Sequence, residues 1–189
     1  MDARGERLES DGAVNIRSEN RRQTKGSCED RLSRDQTLRI ETVLYSNPIR
    51  TTGCVLIRRE AFERTGGFRE DVTIIDDWLM WIELSKISPI VYLDSEILAY
   101  RLHSNSLSKR ARVLFDEVRR ARRSMLESPE FTKRQKRSIV NGNREFELAM
   151  AKTKLPIISA EIRRGAMQSA AGQARYFLGH MLRAVRGYP

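Results

Sequence analysis

Nothing in the first 36 residues can begin a hydrophobic core. Residues 1–36 scatter their few apolar side chains without a sustained period among many Arg, Glu, Ser, Asn and Asp, and such a segment reads as loop or disorder. The texture changes at Thr37, so any folded body must be built from the residues beyond that point. A chain of 189 residues holds one good domain, or a small domain with an appendage.

The charge is as uneven as the hydropathy. Residues 1–36 carry 8 basic and 8 acidic side chains, residues 37–106 carry 8 and 10, and residues 107–189 carry 19 and 7. The net charge of +10 therefore belongs to the last third. A main domain that gripped nucleic acid would carry the charge itself. The Arg clusters have no interleaved stacking aromatics and no RNP-type or helix-turn-helix signature, so nucleic acid is not an expected partner. No run approaches the roughly 18 apolar residues that cross a bilayer, and MDARGERLESDG offers no apolar signal core. Cys28 and Cys54 lack CxxC spacing, which points to neither a disulfide framework nor a zinc site. The expected location is cytoplasmic, with peripheral contact at the inner face of the membrane as a variant.

Between Thr37 and Ser108 short elements alternate. TLRIETVLYSN spaces Leu38, Val43 and Leu44 as a helix that Asn47-Pro48 ends. The apolar run at 53–57 (GCVLI) suits a buried strand. A short helix from Arg58 to Thr65 closes on Gly66-Gly67, which supply a left-handed residue. A second helix, Trp78 to Ile87, puts Trp78, Trp81, Ile82 and Ser85 on one stripe, with Asp76 and Asp77 just ahead of it to cap free N–H groups. Strands at 90–93 and 97–102 come next, joined by Asp94-Ser95-Glu96. Beyond Ser108 the pattern is helical. One helix stops near Ser128-Pro129, a second runs from about Glu130 to Lys154 and ends before Pro156, and one or two more fill 157–187. Gly165, Gly172 and Gly179 are their weak points.

Four features in order carry chemistry. They are an apolar strand running into paired arginines (55–59), a helix ending in Gly66-Gly67-Phe68, the acidic pair Asp76-Asp77 leading into Trp78-Leu79-Met80-Trp81, and a strand ending in Tyr100-Arg101-Leu102-His103. Together the block from Asn47 to Ser108 resembles the second, acceptor-side half of family 2 glycosyltransferases of the GT-A type. The resemblance implies an α/β fold. Residues 37–108 would form a partial GT-A (truncated Rossmann-like) domain, residues 1–36 a loop or disordered leader, and residues 109–189 a basic all-helical tail.

It also implies roles. An acceptor hydroxyl loses its proton as it attacks the anomeric carbon of a nucleotide sugar, and a carboxylate within reach serves as base. Asp77 stands at that position, with Asp76 holding the loop or contacting the acceptor. On the residues alone both read first as helix caps, and the surrounding block reverses that order. Trp78 and Gly53 would line the acceptor or donor site, although Trp78 and Trp81 also read as core. Arg101 would meet phosphate or form a salt bridge. His103 would contact the divalent metal (Mn or Mg) that the family uses, or else is a surface histidine at a strand end. The donor would be a nucleotide sugar and the acceptor a saccharide or lipid-linked saccharide. One departure is Glu83, where the family usually carries a basic residue.

The sequence has no DxD triplet, and residues 1–46 contain no βαβ nucleotide-binding unit. The expectation is an acceptor-side part without transferase activity of its own, whether a truncated product, a mis-called start or a partner that completes another polypeptide. The alternative is a non-catalytic interaction module whose basic helical tail binds a membrane surface or a partner protein. Residues 175–186, with Tyr176, Phe177, Leu178, Met181 and Leu182 among Arg175, Arg183 and Arg186, have the composition of an interfacial helix. The residues alone favour the plainer reading of a solvated helical face.

Overall fold

A computed structural model describes residues 36–49, 51–92, 98 and 111–188. The chain divides into two compact units between Val118 and Arg119.

In the first unit a two-stranded antiparallel ribbon pairs β1 (Gln36–Leu38) with β2 (Ile90–Tyr92), Thr37 opposite Val91. After β1 come helix α1 (Ile40–Tyr45), a 3-10 turn at Thr52–Cys54, α2 (Arg59–Arg64) and α3 (Asp76–Ile87). The core gathers around α3, whose Trp78, Met80, Trp81, Ile82 and Leu84 are all buried, against Val43 and Leu44 of α1. Burial this broad goes beyond the expected stripe. Ser85 is only half-buried and returns its hydroxyl to the Ile82 carbonyl at 2.8 Å. The Trp78 indole N–H donates to the Val43 carbonyl at 2.6 Å, which ties α1 to α3 and satisfies the one polar atom of a buried ring. Beside them Phe62, Phe68 and Trp81 meet edge to face, with centroids 5.7 and 6.5 Å apart. Gly66 and Gly67 come after α2 with φ of +79° and +81°, a conformation that costs a residue with a Cβ about 1 kcal/mol or more.

The α/β expectation is corrected here. Among the described residues the only sheet is this antiparallel ribbon, and everything else regular is helical. That is not a GT-A domain, whose nucleotide-binding part rests on parallel strands. The run at 53–57 illustrates why. Thr51 accepts from the Gly53 amide through its side chain, so the chain turns through Cys54 before it extends. Residues 55–58 then run outside any strand, and Leu56 is 100% exposed. An apolar run becomes a strand only where a neighbour takes its N–H and C=O groups. Of the strand expected at 97–102 only Leu98 is among the described residues, and residues 1–35 lie outside them.

Helix α4 (Ala111–Glu127) contains the division between the units. In the second unit its residues from Arg119 meet α5 (Lys133–Arg163), which in turn packs on α6 (Met167–Arg186). The helical C-terminal region is therefore present. Thr132 opens α5 with a capping box, accepting from the Gln135 amide while Gln135 accepts from the Thr132 amide. Pairings of residue 147 with 180 and 183, and of 154 with 176, show α5 and α6 to be antiparallel. The turn between them is at 164–166, with Gly165 at φ +74°.

Two expectations for this region change. Helix α5 does not stop before Pro156 but runs through it. The proline gives up the bond to the Lys152 carbonyl, and Lys152, Leu155, Pro156 and Ile157 are all exposed, so the lost bond falls on a face open to solvent. Of the three glycines, only Gly165 breaks a helix. Gly172 and Gly179 lie inside α6, where the intrinsic penalty of about 1 kcal/mol each is outweighed by packing on α5. No helix among the described residues is long and apolar enough to cross a membrane.

Candidate functional site

The first turn of α3 carries both acidic residues. The helix begins at Asp76, ahead of the expected start at Trp78, and its N-cap is Ile75, which makes no side-chain cap. Asp76 and Asp77 are thus inside the helix rather than before it, where the positive end of the helix dipole favours their charge. Asp77 Oδ1 accepts from its neighbour's amide, Trp78 N, and from Asn47 Nδ2 at 3.3 Å. Asn47 is aimed by its own Oδ1, which accepts from the Ile49 amide at 3.1 Å in an Asx turn. The Asn-Pro pair that reads in sequence as a helix stop therefore also supplies a partner for the acidic residue.

Burial holds the Asp77 carboxyl above the usual carboxylate range. The charge of Asp76 adds to the effect, while the hydrogen bonds from Trp78 N and Asn47 oppose it. A carboxylate raised in this way is a stronger proton acceptor at neutral pH than a free one.

The loop leading into α3 is held by a residue that the sequence conceals. Glu117 is buried, and its carboxylate accepts from three successive amides, Thr73 at 2.7 Å, Ile74 at 2.9 Å and Ile75 at 3.3 Å. Orphan N–H groups at a helix start are commonly satisfied by a local side chain. Here the acceptor comes from more than forty residues downstream, and nothing in the pattern around Glu117 distinguishes it from a solvated helix face.

Of the other expected site residues, Trp78 and Gly53 are described. Trp78 is a core residue at 3% exposure, its N–H already engaged, so its ring offers no open face to a sugar. Gly53 is the exposed middle residue of the 3-10 turn, and its near neighbours are Leu98 and Thr51. Arg101 and His103 lie outside the described residues. Among the described residues no group of three or more His, Cys, Asp or Glu comes together to hold a metal ion. Asp76 and Asp77 alone do not make the oxygen shell of a hard cation. Glu83, the departure from the family pattern, pairs with Lys86 at 2.8 Å one turn along α3.

A second buried constellation has no signal in the sequence. In the second unit Glu147 of α5 and His180 of α6 are both fully buried and joined through Nδ1 and Oε2 at 2.5 Å. Arg119 donates to Glu147 at 2.9 Å and Arg183 at 3.1 Å. Burial pushes the Glu147 carboxyl up, but Arg119 first, then His180 and Arg183, bring it below the usual range. Burial pushes His180 below its ordinary value despite Glu147. Three helices thus meet on one carboxylate. No protein-family model matches this chain, and neither a curated protein nor a solved structure is significantly similar to it.

Proposed function

We propose that the first unit is the acceptor-side part of a family 2-like glycosyltransferase, with Asp77 as the base that takes the proton of the attacking hydroxyl. The observation that carries the reading is the state of Asp77: half-buried, raised in proton affinity, held by Asn47 and placed at a helix start whose approach is clamped by Glu117. In the reaction the acceptor oxygen forms its bond to the anomeric carbon, the bond from that carbon to the nucleotide diphosphate breaks, and the hydroxyl proton passes to Asp77. The run at 55–57 supports the same reading, since it is apolar chain without a pairing strand among the described residues, with Leu56 fully exposed and Val55 and Ile57 half-buried. A nucleotide-binding half carried on other polypeptide would supply such a neighbour.

On this reading the chain by itself transfers no sugar. Incubation with a panel of UDP-, GDP- and dTDP-sugars, Mn²⁺ and saccharide acceptors is expected to give no turnover. Turnover that disappears in Asp77→Asn would keep the base and overturn the need for a second half. Turnover indifferent to Asp77→Asn would overturn the assignment of the base.

A further inference from the structure

Helix α6 has no Asp or Glu between Met167 and Arg186, and it carries three arginines. At 100° per residue its buried Ala170, His180 and Ala184 turn toward α5, while Leu178, Leu182 and Val185 fall on the opposite side at 57, 59 and 74% exposure. Met167 and Ala171 extend the same stripe toward the N-terminus, and exposed Arg175 and Arg186 stand along one edge of it. From Lys152 to Arg186 there are seven basic residues, the lysines at 152 and 154 among them, and one acidic, Glu161. Nearly all the large exposed apolar side chains described in the second unit lie within this same stretch, from Leu155 to Val185.

We propose that this face of α6 docks on the surface of a bilayer rich in anionic phospholipid. Leu178, Leu182 and Val185 enter the boundary between head groups and acyl chains, and Arg175 and Arg186 stay at the level of the phosphates. An apolar stripe with a basic margin and no acid is the pattern of a helix that lies in the interface, and each Arg near a negative leaflet adds attraction. Charge selects the lipid over a second copy of the chain. Two such faces would bring Arg175 and Arg186 of both copies together with no acid on either helix.

The test is co-sedimentation of the full chain with vesicles of phosphatidylcholine alone and of phosphatidylcholine with phosphatidylserine, at physiological salt. The expected result is at least tenfold tighter binding to the serine-containing vesicles. It should fall at least tenfold in Leu178→Glu/Leu182→Glu, whose sites are exposed and whose fold is checked by circular dichroism. Arg175→Gln/Arg186→Gln should narrow the difference between the two lipids. Equal binding to both vesicle types, or serine-dependent binding unchanged in the leucine double variant, would overturn the proposal. So would a dimer seen by light scattering and abolished by that variant, without vesicle binding. None of these outcomes depends on the role of Asp77.

Discussion

Asp77 is a half-buried carboxylate beside a second carboxylate, and its raised proton affinity has a consequence for stability. The folded protein holds the Asp77 proton more tightly than the unfolded chain does, so Asp77 contributes stability at low pH and loses it as pH rises past the ordinary carboxylate range. At pH 7 the charge is a liability. Asp77→Asn keeps an oxygen for Asn47 and Trp78 and removes the repulsion from Asp76, so it is expected to stabilise the first unit by about 0.5 kcal/mol, read as a higher urea midpoint. A simple capping aspartate would behave in the opposite way, since replacing a useful helix-start charge costs stability. Gly187 offers a second test at this scale. It ends α6 at φ +68°, and a Cβ there would stand 2.7 Å from Arg144 Nε and 2.8 Å from Val140 Cγ1. Gly187→Ala is therefore expected to cost about 1–3 kcal/mol in thermal unfolding of the second unit.

Among the elements, the helices of the second unit are joined by a charge cluster whose pH response has a definite sign. His180 refuses a proton that the unfolded chain accepts, so stability falls as pH drops through about 6.5. Glu147 is held below its ordinary range, so the stability it contributes is present above about pH 4.5 and is lost at lower pH as the folded carboxyl protonates. Two steps are expected in a plot of midpoint temperature against pH, and His180→Gln should remove the upper one. Glu147→Gln leaves Arg119 and Arg183 facing each other with only a neutral amide between them. It is expected to cost about 3 kcal/mol, at the low end for breaking a buried pair because both arginines still reach water. Within α6, Gly172 is helical and a Cβ there meets nothing within 4 Å. Gly172→Ala is expected to raise stability by about 0.5–1 kcal/mol, measured by chemical denaturation.

For the whole molecule, what is legible in the sequence tracks the range of the forces involved. Helices α2, α3 and α4 are readable because capping residues, glycines and the 3.6-residue period act locally. The strand expected at 53–57 does not form because pairing is non-local, and a run of five apolar residues does not say whether a neighbour exists. Pro156 reads as a stop because the exposure that lets a helix run through a proline belongs to the tertiary structure. Asp77 is visible through its neighbours in sequence. Asn47 and Glu117, which act on it and on its approach loop from some 30 and 40 residues away, are not, because hydrogen bonds across such distances leave no periodic trace. The Glu147–His180 pair is hidden for the same reason: each is one polar residue in a polar helix until α5 and α6 fold together.

The assignment of the first unit rests on a saccharide meeting Asp77. The most direct measurement is a titration of the isotope-labelled chain with hexose, N-acetylhexosamine and uronic-acid oligosaccharides, monitored by amide chemical shifts. The expected result is saturable shifts centred on Asp76, Asp77 and Asn47 with at least one of these sugars. Shifts confined to residues of α5 and α6, or none with any of the sugars, would contradict it.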